Sequence, residues 1–202
     1  MRVWVNLSML AYQRQNWPEA LAAAQAAQAS SAARRDPFFD SLGRVSASLS
    51  HTRPSVTAMR ACALWDRPRT PSPGWPTATA RWTAFYGQAE LDHLAAIVQF
   101  NSGRHPHAEA MAHRALARIP SAFRRNRALA TAQLALAQLH QGEAGQATAS
   151  ATDVFTIMDG DPLPGRMRTL MGDFHRGLFV VAPSASYARD WADRMRTEWS
   201  RA

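Results

Sequence analysis

Gly103–Arg104–His105–Pro106–His107–Ala108–Glu109 reads as one helix stopping and the next starting at once. Glycine suits the position just past a helix end because it lacks the Cβ that penalises a left-handed backbone. Proline suits the first turn of the next helix because the N–H it lacks would be unpaired there anyway. The same event occurs at Gln15–Asn16–Trp17–Pro18, resuming at Glu19–Ala20–Leu21, and at Gly142–Glu143–Ala144–Gly145, resuming at Gln146–Ala147. Gly103 and Gly142 are 39 residues apart, and the 88 residues from Gln15 to Gly103 leave room for one further hairpin. A helix-turn-helix recurring at this period predicts an α-solenoid.

Between the joints the apolar residues keep a helical period. Leu91, Leu94, Ala95 and Val98 form one stripe, and Ala108, Met111, Ala112 and Ala115 form another. Ala147, Ala151, Val154, Phe155 and Met158 repeat it, as do Met167, Leu170, Met171, Phe174 and Leu178. No stretch alternates apolar and polar residues between hairpin turns, so the fold class is all-α. The expected architecture is a TPR-like α-solenoid of about five helical hairpins, over 3–33, 37–66, 83–119, 122–159 and 163–201. A C-terminal capping helix, Ser184 to Ser200, carries Tyr187, Trp191, Met195 and Trp199 on one side, with Asp190 and Arg194 at pairing distance on the other.

Arg67–Ala80 interrupts the period. Pro68, Pro71, Pro73 and Pro76 within nine residues exclude a helix. The chain therefore divides into N-terminal hairpins at 1–66 with the second degenerate, a Pro/Arg-rich linker or scrambled segment at 67–81, and hairpins with the capping helix at 82–202. A frameshift over 54–80 is one account of the break. From Arg53 to Arg81, five arginines and Asp66 supply +4 of the net charge of +8. That concentration, with all 23 cations being arginine, makes the whole-chain basicity a weak pointer to nucleic acid. The 202 residues contain no run of about 18 uncharged apolar residues and no secretion signal at Met1–Asn6. The lone Cys62 leaves no intramolecular disulfide or Cys-based zinc cluster. A soluble cytoplasmic protein without membrane association is expected.

The first hairpin carries the tetratricopeptide spacing, W-x2-L-G-x2-Y then A-x3-F. Trp4, Leu7 and Ser8 stand at Trp, Leu and Gly; Ala11 replaces Tyr, Ala20 matches Ala, Ala24 replaces Phe, and Ala27 keeps a small residue. Ala95, Ala96, Ala108, Ala112, Ala115 and Pro120 fall at the same offsets. Within this group the chain resembles the C-terminal TPR-like halves of actinobacterial XRE-type helix-turn-helix transcriptional regulators. The segments carrying the resemblance are Asn6–Tyr12, Trp82–His93, Asn126–Ala132 and Pro164–Leu170, while 54–80 depart from it. The resemblance implies a sensory or dimerisation half whose DNA contact comes only through a missing or separate helix-turn-helix domain, since the chain starts inside the first repeat.

Two surfaces are candidates for binding. By the repeat's phase, Met9, Tyr12, Glu90, His93, Ile97, Phe100, Leu129, Leu136 and Leu139 should line the concave face, a wall apolar enough to receive a peptide or helix or to be buried by a tight superhelix. Arg81, Arg124, Arg125, Arg127, Arg166 and Arg168 open first helices and should form a basic edge. Each opposes a helix dipole by roughly 0.3–1 kcal/mol, so they either pair with acids such as Asp159, Asp161, Glu90 and Asp92 or await an anionic partner.

Catalysis is not expected. His93, His105, His107 and His113 lack a completing Cys or carboxylate at a metal spacing and read as turn and surface histidines. Asp173 and His175 point to different faces of a helix, and neither a nucleophile elbow nor a glycine-rich phosphate loop occurs. The expected function is a non-catalytic protein- or peptide-binding regulatory module without cofactor or metal, with a homodimer as a further option. Direct nucleic-acid binding through the arginines is the alternative.

Overall fold

The computed structural model describes residues 2–14, 16–30 and 88–200. The hairpin expected at 37–66, the Pro/Arg-rich segment 67–81 with Arg81, and residues 82–87 lie outside the described residues, as do the side chains of Met9 and Tyr12. Among the described residues every regular element is a helix: α1 (Arg2–Gln13), α2 (Trp17–Ala29), α3 (Gln88–Asn101), α4 (His105–Arg118), α5 (Arg124–His140), α6 (Ala144–Met158), α7 (Gly165–Val181) and α8 (Ser186–Ser200). The fold is all-α. None of these helices is long and apolar enough to cross a membrane. One compact unit takes α1, α2 and Ile97–Arg104, and the other takes α3 up to Ala96 and everything from His105.

The joints between paired helices share one hydrogen-bond geometry. The backbone N–H groups of Asn16, Arg104 and Glu143 each donate to the carbonyl five residues back, on Ala11, Gln99 and Gln138, all at 2.9–3.1 Å. Gly103 and Gly142 adopt φ of 73° and 87°, which lets the chain reverse there without strain. At the first joint Asn16 does the capping. Its side chain accepts from the Glu19 N–H and donates to the Glu19 carboxylate at 2.7 Å, with Pro18 in the first turn.

Aligning the three joints puts the helices in register. Ala20, Ala108 and Ala147 coincide, then Ala24, Ala112 and Ala151, then Ala27, Ala115 and Val154, and every one is fully buried. On the preceding helices Ser8, Ala96 and Ala135 coincide and are buried too. Small side chains at these points let paired helices approach closely, because any larger group would have to displace backbone or core atoms.

Within the second unit α5 is the hub. It packs on α4 before it, on its own partner α6, and on α7 after it, while α6 also meets α7 and α8. Ala130 of α5 joins Ala115 and Ile119 at the end of α4 in one apolar cluster. A polar clasp ties the same helices. Gln138 and Gln141 donate to the two carboxylate oxygens of Glu109 at 3.0 and 2.7 Å, and the Ser150 hydroxyl donates to Gln138 at 2.8 Å. The close of the chain is built on Trp191, buried with its ring edge-on to Phe174 at 4.9 Å and tilted against Phe155 at 5.7 Å. Arg194 does not meet Asp190. It reaches Glu198 at 4.0 Å instead, with its guanidinium 5.4 Å from the Phe155 ring, since the aromatic face holds the flat cation where an exposed carboxylate offers little.

Candidate functional site

Two of the arginines that open α5 are engaged by the ends of neighbouring helices. Arg127 donates to the carbonyls of Leu116 and Ile119, at 3.1 and 3.0 Å, where α4 ends. Arg124 donates to Ile157 at 3.0 Å and to Met158, where α6 ends, and pairs with Asp161 at 3.3 Å. Neighbouring helices run antiparallel, so the start of α5 lies beside carbonyls left without intrahelical partners. The cation that opposes its own helix dipole thereby satisfies the opposite pole of the next helix. Sequence reading could name these arginines but not their acceptors, because carbonyl partners leave no trace in residue identity.

The other edge residues have separate surroundings. Arg168 is half-buried, 5.0 Å from the Trp199 ring. Arg166, also half-buried, acts electrostatically on Glu90 and His93. Arg125 is exposed at the rim of an open hollow of about 500 Å³ lined by Phe123, Arg124, Met158, Asp161 and Pro162 among others. Asp92 meets none of the described helix-opening arginines. It is buried, held by Gln88 at 3.0 Å, by Arg114 at 3.5 Å and by a close ion pair with Arg118, which fixes α3 to α4.

The residues expected on the concave face divide by chemistry. Ile97, Leu136 and Leu139 are buried, and Phe100 and Leu129 are half-buried. Leu139 packs on α7 so tightly that a Cβ added to Gly177 would lie 2.9 Å from its Cδ2 atom. Ile97, Leu136 and Leu139 thus belong to the core and do not form an open apolar wall. Glu90 and His93 remain as the polar members, and Arg166 joins them from α7. Burial pushes the Glu90 carboxyl above its ordinary range, with Arg166 pulling the other way. Burial, helped by Arg166, pushes the His93 imidazole down to about 3, so the ring is neutral near pH 7.

His93 is 6% exposed, and among the described residues neither of its ring nitrogens has a hydrogen-bond partner. The same holds for Ser8 Oγ, both side-chain polar atoms of Gln99, Gln133 Nε2 and His175 Nδ1. These residues lie on α1, α3, α5 and α7, the first helices of their hairpins, while Trp191 Nε1, unmet as well, lies on α8. Buried polar atoms are nearly always satisfied, so an unmet one marks a place where water or a ligand would donate and accept.

The remaining histidines are dispersed. His105 stacks on His140 with ring centroids 4.7 Å apart, and burial with His140 nearby lowers its basicity. His113 faces Glu109 at 3.7 Å, and His107 is exposed. Asp173 pairs with Arg176 along the helix, while His175 lies against Phe179 at 5.0 Å, so the two neighbours do diverge. Among the described residues no three His, Cys, Asp or Glu side chains come together as a metal site. Comparison with family models, with curated proteins and with solved structures finds no match.

Proposed function

We propose that the chain is a TPR-like, non-catalytic regulatory module that binds a protein or peptide, acting as the sensory or dimerisation half of a transcriptional regulator. The observation that carries this reading is the buried imidazole of His93, unmet among the described residues, with Arg166 acting electrostatically both on it and on Glu90. First helices line the inner face of such arrays. An extended peptide brings backbone N–H and C=O groups that match donors and acceptors of this kind, whereas an apolar anchor would find the leucines already in the core.

The reading is tested by fluorescence polarisation against a library of labelled random octapeptides, followed by Arg166→Gln. The expected result is a set of binders whose affinity falls about tenfold in the variant, roughly 1.4 kcal/mol, with an unchanged melting temperature. Absence of any binder, or binders indifferent to Arg166, overturns it. The net charge of +8 favours direct nucleic-acid binding as a second reading. The carbonyl and ring partners of Arg124, Arg127 and Arg168 weigh against it, because arginines so held would have to be released to meet phosphate. A salt titration on random duplex DNA separates the two, since phosphate contacts give a steep log–log slope.

A further inference from the structure

The register that aligns the joints also aligns the outward faces of the first helices, and there α1 differs from the others. Val3, Trp4, Leu7 and Leu10 of α1 correspond to Leu91, Asp92, Ala95 and Val98 of α3 and to Ala130, Thr131, Leu134 and Ala137 of α5. Those eight counterparts are at most 5% exposed. In α5 the cover is the second helix of the preceding hairpin, through Ala115 and Ile119 of α4. In α1 the same four positions are 67%, 44%, 39% and 42% exposed. A contiguous stripe of valine, tryptophan and two leucines left in water is a cost that an interface removes.

We propose that this face of α1 is a two-fold interface with a second copy of the chain. Two observations select that occupant. Apart from Leu134 the α5 face is built of small residues that admit α4 closely, whereas α1 presents Trp4 and Leu10 where α5 has Thr131 and Ala137. Large apolar knobs of this kind suit the wider interdigitation of two like helices rather than close repeat stacking. From Val3 to Gln13 the helix carries no charge, so the stripe itself brings no like charges together despite the +8 of the whole chain, the flanking Arg2 and Arg14 lying beyond it. An isologous contact needs only the one patch, used twice.

The inference gives the dimerisation part of the proposed function a surface, and it is tested by mass rather than peptide affinity, so the two fail separately. Sedimentation equilibrium of the full chain over a wide concentration range should show twice the 22.3 kDa monomer mass at the upper end. Leu7→Glu should shift the midpoint to at least a hundredfold higher concentration. Val3→Asp should act in the same direction while suiting the helix N-terminus, so it tests the contact without threatening the fold. Val180→Glu, at an exposed apolar residue outside α1, should leave the midpoint unchanged. A chain that stays monomeric throughout overturns the proposal. So does a dimer indifferent to both α1 variants, or a loss of melting temperature in dilute Leu7→Glu, which would mean that a segment of the same chain covers the face.

Discussion

Helices α1 and α5 occupy the same place in their hairpins, share the same joint geometry, and have opposite relations to water. In α1 the larger apolar side chains Trp4, Leu7 and Leu10 are exposed; in α5 the polar Thr131, Gln133 and Gln138 are buried. Hydropathy alone would order them the other way. Exposure here is set by whether a neighbouring hairpin lies on the face, and residue type follows packing distance more than polarity. Buried Gln138 is tolerated because Glu109 and Ser150 complete its hydrogen bonds. Buried His93 has no such partners among the described residues, and burial keeps it neutral.

The contrast is broken most directly by charge. Leu136→Glu and Ile97→Glu would each put an unpaired carboxylate into the core and should lower stability by more than about 3 kcal/mol in denaturant melts. Wild-type stability in both would mean that these positions face solvent. Truncation sharpens the same comparison at one register position. Leu134→Ala in α5 should cost about 2–5 kcal/mol, whereas Leu7→Ala in α1 should change the stability of the dilute protein by no more than about 0.5 kcal/mol. Equal costs would show that α1 is covered within the chain.

Overpacking tests the register itself. Ala112 and Ala151 are fully buried where paired helices cross, so Ala→Leu at either should cost about 1–3 kcal/mol by thermal or chemical denaturation. Unchanged melting temperatures in both would remove the alignment.

Acid probes His93. Its folded value of about 3 lies below the ordinary 6.5, so the unfolded chain binds the extra proton between those values. Its contribution is full above pH 6.5 and lost as pH falls toward 3, with a slope of up to about 1.4 kcal/mol per pH unit. Glu90, with its raised value, works with the opposite sign, its contribution lost as pH rises above the ordinary carboxylate range. In His93→Gln the falling slope between pH 6 and 4 should become shallower, as read by urea midpoints.

The smallest effects concern two glycines of α7. A Cβ at Gly172 would meet only Arg176 at ordinary contact distance, so Gly172→Ala should gain about 0.5–1 kcal/mol from helix propensity. At Gly177 the same gain is opposed by the contact with buried Leu139, and the variant should melt below Gly172→Ala. If the two variants melt together, α7 does not press on Leu139 as described.

The helices, their joints and the small-residue crossings were legible in the sequence. Gly103, Gly142, Pro18 and Pro106 act through local backbone conformation, and Ala108, Ala112 and Ala115 repeat at a spacing that survives without coordinates. The capping role of Arg124 and Arg127 was not legible, nor was the capture of Asp92 by Arg114 and Arg118. Those depend on which helix end or which turn of α4 lies within a few ångströms, a distance fixed only when the hairpins stack. The same reason governs the candidate site. The sequence placed Ile97, Leu136 and Leu139 at one phase with Glu90 and His93, but only packing sent the leucines into the core and brought Arg166 from α7 to the two polar groups. Periodicity determines which side of a helix a residue occupies; what lies opposite that side is decided by the tertiary structure, because burial and charge are properties of neighbours.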